Sequence, residues 1–289
     1  MSFNKILSSV IHYVKNIFTP SYKSIKENHS KIWQQKWSDF LQKNVNFYHN
    51  LSSEDKILFE QRCLLFLATT RVEGSVDVEV SDYDRLLVAA SAIIPVWGFK
   101  GWHYFNIESV ILLPSRFNEK YQYGLADSSM SGMVGTGKMS GKMVLSKPDL
   151  YYGFENSRDK HNVGIHEFVH LIDMADGLSD GFPERITKYE YSIPWFDFVQ
   201  KKIAEVDKGE SNIDDYAATN NAEFFAVSSE YFFERPKLLK QKHPRLYEYL
   251  SKFYKQNLAE IKQDLEPKKN ELCPCGSGKK YKRCCMPHE

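Results

Sequence analysis

The stretch "NVGIHEFVHLIDMADG", residues 162–177, joins an apolar helical pattern to the spacing His-Glu-x-x-His. On an α-helix, residues four apart project from one face about one turn apart, so His166 and His170 can present two imidazoles to one ion. Glu167 lies beside them, where a carboxylate can take a proton from a metal-bound water. Two solvent-facing histidines on an ordinary helix have the same spacing, so the interpretation depends on a third ligand.

A catalytic zinc ion needs a third protein ligand and one open position for water. The nearest candidate is Asp176, in a pattern similar to that of metzincins. Those enzymes have glycine at the position of Asp173, because the helix must turn sharply there. In a continuing helix Asp176 would lie about 240° around from His170, on the wrong face. Asp173, one turn after His170, can either orient a ligand histidine or end the helix as a solvated carboxylate.

The distant candidate is Glu223, at the start of a second predicted helix, "NAEFFAVSSEYFFE", residues 221–234. A carboxylate from a separate helix completes the His-His-Glu-water set of gluzincins. Glu230 lies seven residues further on, nearly on the same helix face, and is the alternative ligand within this helix. Tyr216 precedes Glu223 by seven residues, and its phenol could donate to the oxyanion that forms when a carbonyl is attacked. Glu223 is the preferred third ligand.

The remaining pattern predicts an α+β fold that is mostly helical and contains a small sheet. Apolar alternation predicts three short strands, at 75–80, 105–114 and 141–150. Helical periodicity predicts helices across 1–70 and then at 82–95, 163–176, 221–234 and 244–265. We expect one gluzincin-like peptidase domain at 1–266, in which 1–24 is a helical extension, and a small zinc module at 267–289.

The composition is that of an ordinary globular protein. Of the 289 residues, 38 are lysine or arginine and 37 are aspartate or glutamate, so no global field attracts nucleic acid or an anionic membrane. The apolar runs fall well short of the ~20 residues that span a bilayer, and the N-terminus lacks the apolar core and cleavage site of a signal peptide. We expect a cytoplasmic protein without membrane contact.

The two stretches "NVGIHEFVHLIDMADG" and "DDYAATNNAEFFAVSSEYFFERP" together resemble the Mlc titration factor A family of zinc peptidases, and the resemblance extends over roughly 25–260. It implies a fold similar to the catalytic domain of anthrax lethal factor and aminopeptidase-like activity on a peptide or protein substrate. At least one family member binds a transcriptional repressor of sugar uptake, which makes a repressor a candidate partner. The family's zinc ligands carry over to His166, His170 and Glu223, its general base to Glu167 and its active-site tyrosine to Tyr216.

The C-terminal segment "NELCPCGSGKKYKRCCMPHE" contains four of the five cysteines: Cys273, Cys275, Cys284 and Cys285. Four thiolates so spaced can close a tetrahedral structural zinc site, which would supply the folding free energy of a segment too small for its own core. His288 could replace one thiol. The segment closely resembles the SEC-C motif of the SecA translocation ATPase and other bacterial proteins, where it contacts a chaperone and the ribosome. The resemblance therefore implies a protein or ribosome contact.

Two classes of function follow from these residues. The first is a zinc-dependent peptidase with a C-terminal zinc module, favoured because ligands, general base and tyrosine are all present. The second is a binding protein that titrates a regulator through a peptidase-like fold, for which Glu167 would be dispensable. A third possibility, a translocation or ribosome-associated factor, depends on the cysteine segment alone.

Overall fold

The computed structural model of the protein describes residues 29–156, 159–183, 192–260, 269–271, 278–284 and 286. The described residues form two compact units, one comprising 29–94 with 103–154, and the other 95–102 with the described residues from 155 onward. The described residues are mostly helical and contain one small sheet, which confirms the predicted combination of helices and strands. No helix among them is long and apolar enough to cross a bilayer.

The described part of the first unit contains the four strands of the sheet, together with several helices. Its helices are α1 (Gln35–Asn44), α2 (Asn46–His49), α3 (Ser53–Thr69), α4 (Asp82–Ile93) and α5 (Lys147–Glu155), the last of which ends at the unit boundary. Its strands are β1 (Arg71–Gly74), β2 (Ser109–Leu113), β3 (Gly132–Val134) and β4 (Lys142–Ser146). Helix α4 begins with a capping box, in which Ser81 and Asp84 each accept a backbone N–H from the other.

The sheet has the strand order β1-β2-β4-β3. Strands β1, β2 and β4 are parallel, with Val110 of β2 opposite Val72 and Met143, while β3 is antiparallel to β4. The apolar run of β2 occupies a central position, where both faces are covered, as expected for a parallel strand. The predicted strands at 105–114 and 141–150 therefore contain β2 and β4.

The predicted strand at 75–80 is wrong, because the strand lies earlier, at Arg71–Gly74. After Gly74 the chain turns, and the backbone N–H of Val78 donates to the carbonyl of Ser75 at 3.0 Å. Val76 is fully exposed. The alternating valines of this segment thus lie in and after a tight turn, where Val78 and Val80 are half-buried.

The second unit contains the two helices that carry the candidate site. Its elements are helices α6 (Val163–Asp173), α7 (Ser192–Asp207), α8 (Asn221–Glu234), α9 (Pro236–Lys242) and α10 (Pro244–Tyr254), with 3-10 turns at Met174–Asp176, Asp215–Ala218, Leu258–Glu260 and Tyr281–Arg283. Helix α8 is central, since every residue from 224 to 234 is buried. Tyr254 of α10 packs on it, with its ring 5.6 Å from that of Phe232 and its hydroxyl donating to Ser229 Oγ at 2.6 Å.

Helix α10 ends at Tyr254, so the prediction that it continues to Leu265 is wrong over the described part. Lys255 adopts a left-handed conformation, with φ of 53°, and thereby closes the helix. The predicted N-terminal extension at 1–24 and residues 261–268 lie outside the described residues. The domain boundaries at 1–266 and 267–289 stay predictions.

Candidate metal centre

Helix α6 presents the two histidines on one face. Its first residue is preceded by Asn162, whose side chain accepts the backbone N–H of Ile165 at 3.0 Å and so caps the helix. The opposite face is apolar and buried. Because His166 and His170 are one turn apart, their ring centroids are separated by 4.8 Å and their Nε2 atoms by 3.1 Å.

The third group of the site comes from the first turn of α8. Asn220 caps this helix by accepting the backbone N–H of Glu223 at 2.9 Å. Glu223 Oε2 lies 3.0 Å from Nε2 of His166 and 3.4 Å from Nε2 of His170. The tetrahedral zinc geometry, with bonds of ~2.0–2.1 Å, places ligand atoms about 3.3 Å apart. The three groups thus fit one ion, and among the described residues they form the one such cluster of histidine, cysteine and carboxylate side chains.

The electrostatics of this cluster also favour a cation. Burial disfavours a charged Glu223, yet hydrogen bonds to His166 and His170 lower the pKa of its carboxyl to about 2. Burial likewise opposes a charge on His166, but the carboxylates of Glu230 and Glu223 raise its pKa well above the ordinary value. The carboxylates of this site therefore stabilise positive charge next to the imidazole nitrogens.

Glu230, two turns after Glu223, faces the other side of the His166 ring. Its Oε1 accepts from Nδ1 of His166 at 2.7 Å, and its Oε2 accepts the backbone N–H of Asn162 at 2.5 Å. With the proton on Nδ1, the Nε2 lone pair of His166 is available to an ion. The alternative prediction of Glu230 as a ligand does not fit this geometry. The seven-residue spacing of Glu230 after Glu223 was the sequence signal that could have identified Glu230 as an orienting carboxylate.

Glu167 is buried beside the two histidines. Burial raises the pKa of its carboxyl, while the positive charges of His166 and His170 oppose that increase. The negative charge of Glu223 acts in the same direction as burial. A carboxyl with a raised pKa is a stronger base than an ordinary glutamate, which suits the acceptance of a proton.

Tyr216 lies in the 3-10 turn that precedes α8. The Asp214 side chain caps this turn by accepting the Tyr216 N–H at 2.9 Å. The Tyr216 ring centroid is 6.2 Å from that of His166, and the side chain is 54% exposed. Burial of its hydroxyl, together with the negative charges of Glu223 and Glu167, raises the pKa of Tyr216. The phenol therefore stays protonated at neutral pH and can donate a hydrogen bond.

The two aspartates after the histidines have structural roles. Asp176 accepts the backbone N–H of Leu178 at 3.0 Å within its own turn, apart from the three-membered cluster. Asp173 is fully buried, and its Oδ2 accepts the backbone N–H of Gly181 at 2.9 Å. The predicted alternative of a solvated Asp173 is thus wrong, and its observed partner is a loop amide.

Of the predicted cysteine ligands, only Cys284 lies within the described residues, where it is half-buried. Cys273, Cys275 and Cys285 lie outside them, and so does His288. The four thiols have the chemistry of a structural zinc site, which remains a prediction from the sequence.

A helix bearing His-Glu-x-x-His, opposed by a second helix that supplies a carboxylate, defines the class of metallopeptidase-like proteins. The chain belongs to the family described as glucose-regulated metallo-peptidase M90, whose model matches residues 21–255. The model of the SEC-C motif matches residues 270–287. Both matches confirm the resemblances inferred from the sequence.

Individual relatives agree with this assignment. An uncharacterized protein of Synechocystis sp. is 29% identical over 229 residues, which are 75% of this chain and 82% of that protein. Mlc titration factor A of Serratia proteamaculans is 35% identical over 162 residues, covering 53% of this chain and 61% of the relative. The same factor of Yersinia pestis is 36% identical over 169 residues, covering 55% and 62%. The chain thus spans about three-fifths of the length of these two factors.

Proposed function

We propose that the protein is a zinc-dependent peptidase of the gluzincin type. The observation that carries the proposal is the triangle of His166 Nε2, His170 Nε2 and Glu223 Oε2, with edges of 3.0–3.4 Å, beside the buried Glu167. A zinc ion held by these three side chains would act as a Lewis acid that acidifies water and polarises a carbonyl.

The protein's own groups supply the proton transfers. Glu167 takes a proton from the attacking water and returns it to the leaving amine, for which a raised pKa is suited. Tyr216 donates a hydrogen bond to the carbonyl oxygen as negative charge develops there. Glu230 keeps the His166 ring in one orientation throughout.

A preference for cleavage at the free amino terminus, as in aminopeptidases, is the more specific version of this proposal and derives from the sequence resemblance.

We also propose a second, structural zinc ion on Cys273, Cys275, Cys284 and Cys285. We further propose a cytoplasmic location, because such clustered thiols persist in a reducing compartment. The full chain should therefore bind two zinc ions, and a chain ending near Pro267 should bind one.

The decisive variant is Glu167→Gln, measured for bound zinc and for hydrolysis of free and N-acetylated peptides. We expect unchanged zinc content and hydrolysis reduced by about 10²–10⁴-fold, the usual contribution of a general base. The control is Glu210→Gln, which makes the same glutamate-to-glutamine replacement at an exposed residue of the same unit. Unchanged turnover in Glu167→Gln would refute the mechanism, and equal turnover of free and acetylated peptides would refute the aminopeptidase form.

The second candidate function is regulator binding, which the name Mlc titration factor A of two relatives favours. A chain that acts by binding should retain its affinity for purified Mlc when Glu167 is replaced by glutamine, because no chemistry is required. Calorimetry with the wild type and Glu167→Gln decides this point, and absence of heat in both would exclude Mlc as the partner.

A further inference from the structure

Among the described residues of the cysteine segment, Tyr281 is buried, and Cys284 and Met286 are half-buried. The neighbouring Lys279, Lys280, Lys282 and Arg283 are exposed, whereas Tyr281 is 3% exposed. A segment of about twenty residues has little apolar core of its own. At least part of the surface that covers the ring comes from Arg235, outside the segment.

The ring packs at the end of the helix that carries Glu223. The guanidinium carbon of Arg235 lies 5.7 Å from the centroid of the Tyr281 ring, within the distance of a cation–π contact, and Arg235 is itself 6% exposed. Arg235 ends α8 and precedes α9. It follows Glu230 by five residues and Glu223 by twelve, about 18 Å along the helix axis.

Within the cysteine segment, Tyr281 is joined to a predicted zinc ligand. The carbonyl of Tyr281 accepts the backbone N–H of Cys284 at 3.1 Å, and its own N–H donates to the carbonyl of Glu271 at 2.8 Å. The peptide backbone therefore connects the position of the Cys284 thiol to the position of the docked ring.

From these contacts, and resting on the structural zinc ion proposed above, we propose that the cysteine module packs on the junction of α8 and α9 and that its metal binding is linked to the stability of that junction. The partner of this surface is the chain's own C-terminal segment. Metal bound by the thiols holds Tyr281 against Arg235, and by thermodynamic reciprocity the Tyr281–Arg235 contact strengthens metal binding by the module.

The test uses the full zinc-loaded chain and amide hydrogen exchange of residues 231–239, which include the backbone donors Arg235 and Leu239. Tyr281→Ala and Cys284→Ser should each accelerate exchange there by about fivefold or more, the lower end of typical coupling between sites. Tyr281→Phe retains the ring and Lys282→Ala changes an exposed neighbour, so both should exchange like the wild type.

The reverse direction is measured with Arg235→Lys, which keeps the charge but loses the planar group that stacks on the ring. Competition with a zinc chelator should show zinc released from the module at about fivefold lower chelator concentration.

Unchanged exchange in both Tyr281→Ala and Cys284→Ser would overturn the proposal, and so would an effect of Tyr281→Ala without one of Cys284→Ser. If Tyr281→Ala does not fold, the proposal is decided by comparing the amide exchange of Cys284→Ser with that of Lys282→Ala. None of these measurements depends on peptide hydrolysis.

Discussion

Glu230 connects the His166 ring to the start of its helix. One carboxylate oxygen accepts from Nδ1 of His166 at 2.7 Å and the other accepts the N–H of Asn162 at 2.5 Å. Asn162 in turn caps α6. A single buried side chain of α8 therefore sets both the ring orientation and the position of the helix that carries it.

Replacing Glu230 with glutamine should weaken metal binding at the histidine site by about 10–100-fold, as is typical when the partner of a ligand histidine is lost. Glutamine has one acceptor oxygen and cannot satisfy both N–H groups. Chelator competition measures the affinity, and ¹⁵N NMR reports the tautomer of His166. Glu210→Gln is the matched exposed control. Wild-type zinc affinity and tautomer in Glu230→Gln would show that Glu230 does not orient the ring, whereas failure of the wild type to bind zinc would refute the proposed function itself.

The identity of the third ligand is tested by comparing Glu223→Ala with Asp176→Ala. Removing Glu223 takes one of three ligand atoms from the cluster, so the histidine site should lose its zinc. Removing Asp176 breaks a local turn contact and should leave the zinc content unchanged. Both are measured by metal analysis after dialysis. Zinc lost from Asp176→Ala but kept by Glu223→Ala would reverse the assignment.

Asp173 should make the protein less stable as pH rises from about 4 to about 7. Burial raises the pKa of its carboxyl to about 7, although the hydrogen bond from Gly181 opposes this increase. The folded chain therefore holds the Asp173 proton more tightly than the unfolded chain, whose aspartates have a pKa near ~3.9. Stability that depends on this proton is complete below about pH 4 and is lost as pH rises to about 7.

The variant Asp173→Asn removes this pH dependence and keeps an oxygen that can accept from Gly181. We expect its free energy of unfolding, relative to the wild type, to increase by a few kcal/mol (order of magnitude) between about pH 4 and about pH 7. Urea unfolding in the presence of a chelator measures it, with exposed Asp176→Asn as the control. A constant difference between Asp173→Asn and the wild type across this range would contradict the prediction.

Gly181 controls the approach of the loop after α6 to the start of α8. Its φ is 77°, and a Cβ there would clash with the carbonyl of Asn221, whose carbon would be 2.7 Å away. Gly177 also has a positive φ, of 102°, but a Cβ there has nothing within 4 Å. Both alanine variants carry backbone strain of about 1–3 kcal/mol, so their difference isolates the clash.

We expect Gly181→Ala to reduce the free energy of unfolding more than Gly177→Ala and to weaken zinc binding, since Asn221 lies two residues before Glu223. Chemical denaturation and chelator competition provide the two readouts. If the two variants behave alike, the contact between Gly181 and Asn221 does not position the ligand.

Local pattern alone predicted much of the site. The spacing of His166 and His170 places two imidazoles on one helix face, and the helical period favours Glu223 over Asp176 as their partner. Glu223 does lie with the two histidines, while its role as a ligand stays a prediction. The predicted helix at 221–234 coincides with α8. These features depend on backbone periodicity, which the order of residues specifies directly.

Other features could not be read from the order of residues. The partners of Glu230 lie 64 and 68 residues away in the chain, and Asp173 finds its partner in a loop. The valines of 75–80 have the alternation of a strand, but the segment turns after Gly74 and leaves Val76 fully exposed. In each case the outcome depends on how separate elements pack, which local periodicity does not specify.

The sequence by itself thus predicted a pair of helices that bring two imidazoles and a carboxylate together, because residue type and helical spacing are local properties. Only the tertiary structure decided that the Glu230 carboxylate contacts Nδ1 of His166 and the N–H of Asn162. The physical reason is that the packing of α8 against α6 turns the Glu223 carboxylate toward Nε2 of His166 and the Glu230 carboxylate toward Nδ1. The burial of Tyr281 against Arg235 was decided in the same way, by packing between distant segments.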